Sequence, residues 1–410
     1  MRKILRLLFI LLNVVLFISE TAADSAILVH NTLNDIEACK GKLQLKLVRV
    51  WGGVNEEDEN KFFETPTDVA IDKNGLVYIC DMHRHCIKVF KSSGEYIRTL
   101  GRRGRGPGDL YAPLAIALSP AGELAVAEGG GWRIQRFNSK GKSTAIIRYN
   151  WPPFWIGVTS KDELAVYNSE KTFQTKKLIF INDNKGKTIR KIGIYHDKSE
   201  TFIGSEPLQF TMDDSDNIYA ANGYTPVIRK YSPDGRLLLA ITYETPFKIP
   251  PVKITLNSRG DEIERLDEND YNVKLIKGSR NTQLKGKSRV GVCFGIGTDA
   301  QKRIYIVAGK RLLTEAEKKA SAIGLSLIRI HRERMNYDIL DKMKDIYRLL
   351  VFNQEGKLIA EAPLPNLCSD IQVHGNRIFV VDGDYYQWIL EYEMNFEFGP
   401  VGRRDKGVEE

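Results

Sequence analysis

The chain has 410 residues, 42% of them hydrophobic and 27% charged, which excludes an intrinsically disordered or fibrous protein. It is long enough to bury several apolar cores without help from metals or disulfides. The formal net charge of +8 comes from 60 basic and 52 acidic residues that are interspersed. This pattern is typical of a solvated surface and argues against a nucleic-acid-binding protein.

Residues 1–23 are predicted to be an export signal. Three basic residues precede an apolar stretch, Leu7–Ile18, and small residues at Thr21–Ala23 offer a cleavage site. The apolar stretch is short for a membrane span, although an uncleaved anchor is the alternative. We therefore expect a periplasmic or secreted protein with no stable membrane span after cleavage, a net charge of +6 and a loose leader at residues 24–42.

A run of four β-strand signals follows, from Pro66 to Gly101. The signals are Val69–Asp72, Leu76–Cys80, Ile87–Phe90 and Tyr96–Leu100, separated by the turn sequences Asn74-Gly75 and Ser93-Gly94 and by a polar bend. They predict one four-stranded antiparallel meander. A single meander cannot bury both of its faces, so copies must stack against it.

Copies of this unit recur along the chain. The first two strands, Val69–Asp81, align with Ile116–Glu128, Ile156–Asn168, Phe210–Asn222, Ile296–Ala308 and Ile371–Asp382. Repeats of this length predict an all-β fold, a six-bladed β-propeller of four-stranded antiparallel blades. We place it at residues 43–402, followed by a tail at 403–410, and expect a monomer.

The repeat resembles a known family. The run PTDVAIDKNGLVYICD, followed by RHCIKVF, is similar to the NHL-repeat, or TolB-like, six-bladed propellers of exported bacterial proteins. The resemblance covers about residues 44–400 and is strongest in blades one and two. It implies the fold but no single activity, because propellers include enzymes, ligand-binding proteins and scaffolds.

The sixth unit has little sequence left for a fourth strand. The alternating segment Leu43–Trp51 precedes the first full unit and resembles the outer strand Tyr96–Leu100 of blade one. We therefore predict that this N-terminal strand completes blade six and closes the ring.

Two long inserts interrupt the repeat, at residues 245–289 and 309–345. The first lies between blades four and five, and the second lies between the second and third strands of blade five. Both connections should emerge on the same face of the disc. Thr314–Glu317 fits a helix capping box, so the second insert is predicted to be partly helical. The inserts are predicted either to be lids over the channel mouth or to form a specificity cap over a ligand.

Side chains with oxygen acceptors end the second strand of most blades: Asp81, Glu128, Asn168, Asn222 and Asp382. They could form a ring that binds a cation or a cationic ligand. The alternative is that each one accepts backbone N–H bonds from its own hairpin tip.

His83 and His85 lie beside Asp81 and could form a metal site with it. The alternative is that they are ordinary hairpin-tip residues, since the family resemblance places a histidine at the position of His85. The resemblance also includes calcium-dependent lactonases and zinc-dependent amidating lyases. Calcium or zinc is therefore expected only if the protein is such an enzyme, and otherwise no cofactor is predicted.

The sequence has five cysteines. Cys80 ends one strand and Cys86 begins the next, so a disulfide across this hairpin is one possibility. An odd number leaves at least one free thiol. A catalytic cysteine would need a partner histidine, and the sequence indicates none.

The leading hypothesis is a non-catalytic module that binds a protein, peptide or glycan on the face with the inserts. Besides the acceptor residues and the two histidines, Trp132 should lie there and could stack on a ligand. Gly101–Gly108 is rich in glycine and arginine and either holds an anion or is a plain connecting loop. The alternative function is a metal-dependent hydrolase or lyase with its site at the channel mouth.

Overall fold

The computed structural model describes residues 26–53, 56–194, 208–247, 292–317, 345–364, 368–382 and 387–397, and the backbone of four strands between 252 and 285. The described part contains six sheets that each hold the four antiparallel strands of one blade, and two separate two-stranded hairpins. The all-β six-bladed propeller predicted from the repeat is confirmed. The predicted signal, residues 1–23, and the tail, 403–410, lie outside the described residues.

The strands follow the repeat in chain order. Blade one is β3 (Pro66–Ile71), β4 (Val77–Asp81), β5 (Cys86–Phe90) and β6 (Tyr96–Leu100). Blade two is β7 (Pro113–Leu118), β8 (Leu124–Glu128), β9 (Arg133–Phe137) and β10 (Ser143–Arg148). Blade three is β11 (Trp155–Val158), β12 (Leu164–Tyr167), β13 (Ile179–Asn182) and β14 (Thr188–Ile192), with helix α2 (Ser169–Thr175) between β12 and β13. Blade four is β15 (Leu208–Met212), β16 (Ile218–Asn222), β17 (Val227–Tyr231) and β18 (Leu237–Tyr243).

Blades five and six complete the ring. Blade five is β23 (Cys293–Thr298), β24 (Ile304–Gly309), β25 (Tyr347–Phe352) and β26 (Leu358–Leu364). Blade six is β27 (Asp370–His374), β28 (Arg377–Asp382), β29 (Trp388–Phe396) and the N-terminal β2 (Leu43–Gly52). Because β2 pairs with β29 in antiparallel register, a strand that precedes blade one in the sequence and the last described strand share one sheet, the closure that the sequence predicts.

Residues 26–42 form regular structure, which corrects the prediction of a loose leader. Strand β1 (Ile27–Asn31) pairs in parallel with β18 and adds a fifth strand to blade four. Helix α1 (Leu33–Cys39) begins at a capping box formed by Thr32 and Asp35, and it packs on β26 of blade five. The segment covers the outer strands of two blades, whose edges would otherwise be open.

Apolar side chains fill the space between neighbouring blades. Among the described residues there are six clusters of buried apolar side chains, one between each pair of adjacent blades. Each blade buries both faces because its neighbours cover them. This arrangement explains why inner strands contain buried apolar runs, such as Val77–Cys80.

Short polar side chains build the turns on one face of the disc. In blade one, Asp72 Oδ1 accepts the backbone N–H groups of Asn74 and Leu76, both at 2.9 Å. Asp213 and Asp299 do the same in blades four and five. This face is therefore shaped by local turn chemistry.

The opposite face carries the hairpin tips between the second and third strands and the connections between blades. We call it the insert face, because the chain leaves β18 and β24 there for the two inserts. The roots of the inserts lie side by side, since Val292 O accepts the N–H of Gly309 at 3.3 Å and the hydroxyl of Tyr243 at 3.2 Å.

Only parts of the inserts belong to the described residues. The first contains two hairpins, formed by β19 (Val252–Leu256) with β20 (Glu262–Leu266) and by β21 (Lys274–Lys277) with β22 (Thr282–Lys285). The second begins with the predicted capping box, in which Thr314 and Glu317 each bond the other's backbone N–H. Its predicted helical body, residues 318–344, lies outside the described part. Among helices in the described residues, none has both the length and the apolar character that a membrane crossing requires.

The predicted disulfide between Cys80 and Cys86 is wrong. The register pairs Cys80 with Ile87 and Cys86 with Asp81, with no irregularity between them. Because neighbouring residues of a strand point to opposite faces, the two thiols leave the hairpin on opposite sides of the sheet. All five cysteines are free and buried.

We expect none of the five thiols to react quickly with a disulfide reagent at pH 8 while the protein is folded. Burial raises the pKa of Cys86 and of Cys293 to about 12, so neither forms the reactive thiolate. Thiol titration without reductant should count no fast-reacting group in buffer and all five in guanidinium chloride. A count of three in denaturant would reveal a disulfide and contradict the register.

Candidate functional site

In blades one and two, the acceptor side chain that ends the second strand accepts hydrogen bonds from the backbone just before the first strand of the same blade. Asp81 accepts the N–H groups of Glu64 at 2.8 Å and Thr65 at 2.9 Å, just before β3, and the N–H of Arg84 at 3.3 Å in its own tip. Glu128 accepts the N–H of Tyr111 at 2.8 Å, just before β7. In both blades the acidic group therefore fixes the connection that enters the blade.

The same position makes other contacts in the next two blades. Asn168 Nδ2 donates to Pro152 O at 2.5 Å, in the connection that enters blade three. Asn168 caps helix α2 by accepting the N–H of Lys171 at 2.6 Å, and Asn222 accepts the N–H of Tyr224 at 2.8 Å. Asp382 is buried at the end of β28, and the tip that follows it lies outside the described residues. These contacts support backbone acceptance as the role of the repeated position. They are those of turn and cap residues.

His83 and His85 also bond to the protein. His83 Nδ1 lies 2.6 Å from Thr65 Oγ1, and His85 Nδ1 accepts the backbone N–H of Ala112 at 2.9 Å. Burial, with the positive charge of Arg103 nearby, lowers the pKa of His85. Neither histidine joins Asp81 in a metal centre, since within the described ranges no three His, Cys, Asp or Glu side chains are placed to hold a metal.

A buried charge network supports the arginine-rich connection between blades one and two. The Glu128 and Arg133 side chains form an ion pair of 2.7 Å with exposed fractions of 0% and 2%. Arg133 also donates to the backbone oxygens of Arg105 at 2.6 Å and Asp109 at 2.8 Å. Gln135 donates to Asp109 O at 2.6 Å and accepts the N–H of Gly108 at 3.0 Å.

We call this connection, residues 101–112, the arginine loop. Hydrogen bonds and an ion pair between its own residues also stabilise it. Leu110 is fully buried and donates its N–H to Arg102 O at 2.8 Å. Asp109 accepts the N–H of Gly106 at 3.1 Å and pairs with Arg102 at 3.0 Å. The loop is thus fixed by buried groups beneath it and by its own turns.

The outer side of the arginine loop presents aromatic rings and positive charge. The guanidinium carbons of Arg103 and Arg105 lie 5.9 and 5.7 Å from the ring centre of Tyr111, and the ring of His85 lies 5.4 Å from it. The tip of blade two touches the same ring, because a Cβ added to Gly130 would lie 2.7 Å from Tyr111 Cδ1. Trp132 ends that tip and is 49% exposed. We call His85, Arg103, Arg105, Tyr111 and Trp132 the aromatic–arginine surface.

His85 and Trp132 occupy the same place in their blades, directly before the third strand. Both have left-handed backbone conformations, with φ of 57° and 50°. A bulky residue is strained there, and strain of this kind is concentrated at functional sites. Gln387, directly before the third strand of blade six, has the same conformation with φ of 59°, so the left-handed residue belongs to the hairpin tip of the repeat.

Two carboxyl groups are buried on neighbouring inner strands where the ring closes. Asp68 on β3 and Asp370 on β27 align in the repeat, and their exposed fractions are 7% and 4%. Asp68 accepts the N–H groups of Val69 and Ile116, both at 2.7 Å, and so bonds blade one to blade two. Burial raises the pKa of Asp68 to about 7, and burial together with the charge of Asp68 raises the pKa of Asp370.

The sequence identified part of this site. Of the predicted residues, His85 contacts the Tyr111 ring, and Trp132 ends the tip that touches the same ring. Glu128 accepts the N–H of Tyr111, and Asp81 accepts the N–H of Arg84 in the tip that carries His85. Reading the sequence alone missed Arg133 and Gln135, although an arginine and a glutamine inside an apolar strand are a signal for a buried network. The two buried carboxyls were missed as well, although Asp68 and Asp370 occupy the same repeat position.

A family model described as a six-bladed β-propeller, DUF5128, matches residues 59–296, more than half of the chain. The chain belongs to the DUF5128 family. The likeness to NHL repeats read from blade one is not part of this match.

Solved structures share the fold of this DUF5128 propeller. A DUF4221 member from Bacteroides vulgatus has a TM-score of 0.53 and 10% identity, over 86% of this chain and 99% of that one. A Bacteroides fragilis protein described as exported has a TM-score of 0.52 and 9% identity, over 90% and 100%. Virginiamycin B lyase from Staphylococcus aureus has a TM-score of 0.45 and 13% identity, over 85% and 99%. At these identities the two Bacteroides comparisons establish the fold alone.

Proposed function

We propose that this protein is an exported, NHL-like binding propeller that recognises a protein, peptide or glycan ligand through its insert face without catalysis. The observation that carries the proposal is the support given to the arginine loop by Glu128 and Arg133. Burying such a pair has a desolvation cost that apolar side chains in the same place would not have. Here the pair orders a loop whose outer side holds Tyr111 and two arginines, beside the tip of blade two that ends in Trp132.

Order of this kind favours binding. A loop that is rigid before it meets a ligand loses less conformational entropy on association. Trp, Tyr and Arg are also the residues that contribute most at recognition surfaces. Export belongs to the same proposal, and the predicted signal at residues 1–23 supports it. A monomeric state is also part of the proposal.

The alternative, a hydrolase or lyase that uses calcium or zinc, needs several ligands that converge. Its candidates Asp81, His83 and His85 each bond another part of the protein instead. No observation on the described residues favours this second function.

Photo-crosslinking in the native host tests the proposal. A photoreactive benzoylphenylalanine replaces Trp132 on the insert face or Lys140 in the turn between β9 and β10 on the opposite face; both residues are exposed. We expect a discrete crosslinked product from position 132 and none from position 140. Equal labelling from the two positions, or labelling from 140 alone, would contradict recognition through the insert face.

A further inference from the structure

We infer that the aromatic–arginine surface binds an acidic segment of a polypeptide, an inference that rests on the proposed function and specifies its ligand. Arg103 and Arg105 are exposed, and in the described part of the chain neither is in an ion pair. Arg102, beside them, is neutralised by Asp109 at 3.0 Å. Two unpaired guanidinium groups on a fixed loop attract an anion.

The hydrogen-bonding capacity of the surface selects among anions. Arginine and tryptophan side chains only donate hydrogen bonds. His85 is left with a donor as well, because its Nδ1 is already occupied by the N–H of Ala112. The Tyr111 hydroxyl is the remaining group that can accept a bond.

A surface of donors fits a ligand made of acceptors. Glutamate and aspartate side chains and peptide carbonyls accept hydrogen bonds, and a carboxylate matches the guanidinium fork with two parallel bonds. Sugar hydroxyls donate hydrogen bonds as well as accepting them, and among the side chains of this surface only the Tyr111 hydroxyl can accept one. The arginines also lie over the Tyr111 ring, so part of the aromatic face that a sugar would need is taken.

The arginine loop favours recognition by side chains over addition of a strand. Its backbone N–H groups at Gly104, Gly106 and Gly108 are bonded to Leu110 O, Asp109 Oδ2 and Gln135 Oε1. An acidic segment would therefore meet the guanidinium groups of Arg103 and Arg105, with Trp132 available for an apolar neighbour in the ligand.

Binding of a fluorescein-labelled decapeptide of glutamate to the mature protein, measured by fluorescence anisotropy, tests the inference. The variant Arg103→Ala/Arg105→Ala is compared with Lys140→Ala/Lys142→Ala, which removes the same charge from exposed residues of the turn on the opposite face. We expect the arginine variant to bind at least about tenfold more weakly, the lysine variant to change less than about threefold, and added salt to weaken binding. A decapeptide of glutamine should not bind.

Several outcomes would overturn the inference. Equal losses in the two variants would mean that diffuse positive charge binds the peptide. A decamer of galacturonate, or tripolyphosphate, that binds more tightly through Arg103 and Arg105 would assign the surface to an acidic glycan or to phosphate groups. If the peptide fails to bind while position 132 still crosslinks, recognition through the insert face stands and only the acidic ligand is wrong.

Discussion

Replacing Arg133 by alanine is expected to lower the free energy of unfolding by about 3–5 kcal/mol, because the Glu128 carboxylate would remain buried without its counter-charge. The arginine loop would also lose its bonds to Arg105 O and Asp109 O. Urea denaturation measures the first effect. Hydrogen exchange measures the second, as faster exchange across residues 101–112.

Arg136→Ala is the matched control for this prediction. Arg136 lies on the same strand, but it pairs at 2.6 Å with Asp162, whose side chain is 53% exposed. Asp162 would stay hydrated after the substitution, so we expect a loss of about 1 kcal/mol and unchanged exchange in the arginine loop. If the two variants lost similar stability, or if Arg133→Ala left the loop protected, the network would not be its support.

Replacing Asp370 by asparagine is expected to stabilise the protein by about 2 kcal/mol at pH 8 and to change little at pH 4. In the unfolded chain both Asp68 and Asp370 ionise near their ordinary pKa of about 4. In the folded ring burial and mutual repulsion oppose ionisation, and the pKa of Asp68 is about 7. For Asp370, whose folded pKa is raised by burial and by the charge of Asp68, the cost is absent below the unfolded pKa and grows as the pH rises above about 4 toward that raised pKa.

An asparagine at position 370 removes the second charge and keeps an oxygen for the N–H of Ile371. Asp68→Asn is the contrasting variant, since Asp68 uses both oxygens, for Val69 and Ile116. It should destabilise by about 1–3 kcal/mol even at pH 4, because one buried N–H loses its acceptor. Thermal unfolding between pH 4 and pH 8 gives both curves. A gain in Asp370→Asn that does not depend on pH would exclude charge repulsion as its cause.

The propeller was readable from the sequence because its determinants are local and repeated. A turn such as Asp72–Leu76 is set by one carboxylate and two nearby N–H groups, so the residues that build it are neighbours in sequence. The apolar strands between such turns recur with the blade, and each copy strengthens the same interpretation. The closing strand is predicted in the same way, at Leu43–Trp51, from its likeness to Tyr96–Leu100, and the structure has it at Leu43–Gly52.

The prediction of a loose leader is wrong because the structure of residues 26–42 depends on partners that are distant in the sequence. Strand β1 is only five residues long and exists through its pairing with β18, more than two hundred residues later.

The prediction of a Cys80–Cys86 disulfide is wrong for a different reason. The spacing of the two cysteines permits a bridge, whereas the register puts their side chains on opposite faces.

The fold class, the number of blades and the face on which the inserts leave the ring are all predictable from short patterns that repeat along the chain. The polar residues that act together are not, because they come from distant parts of the chain. Glu128 reaches the arginine loop through Arg133, and Asp68 meets Asp370 across the closing junction. Such pairs depend on the ring bringing different blades and connections together, and burial then sets their charge interactions, which no local pattern encodes.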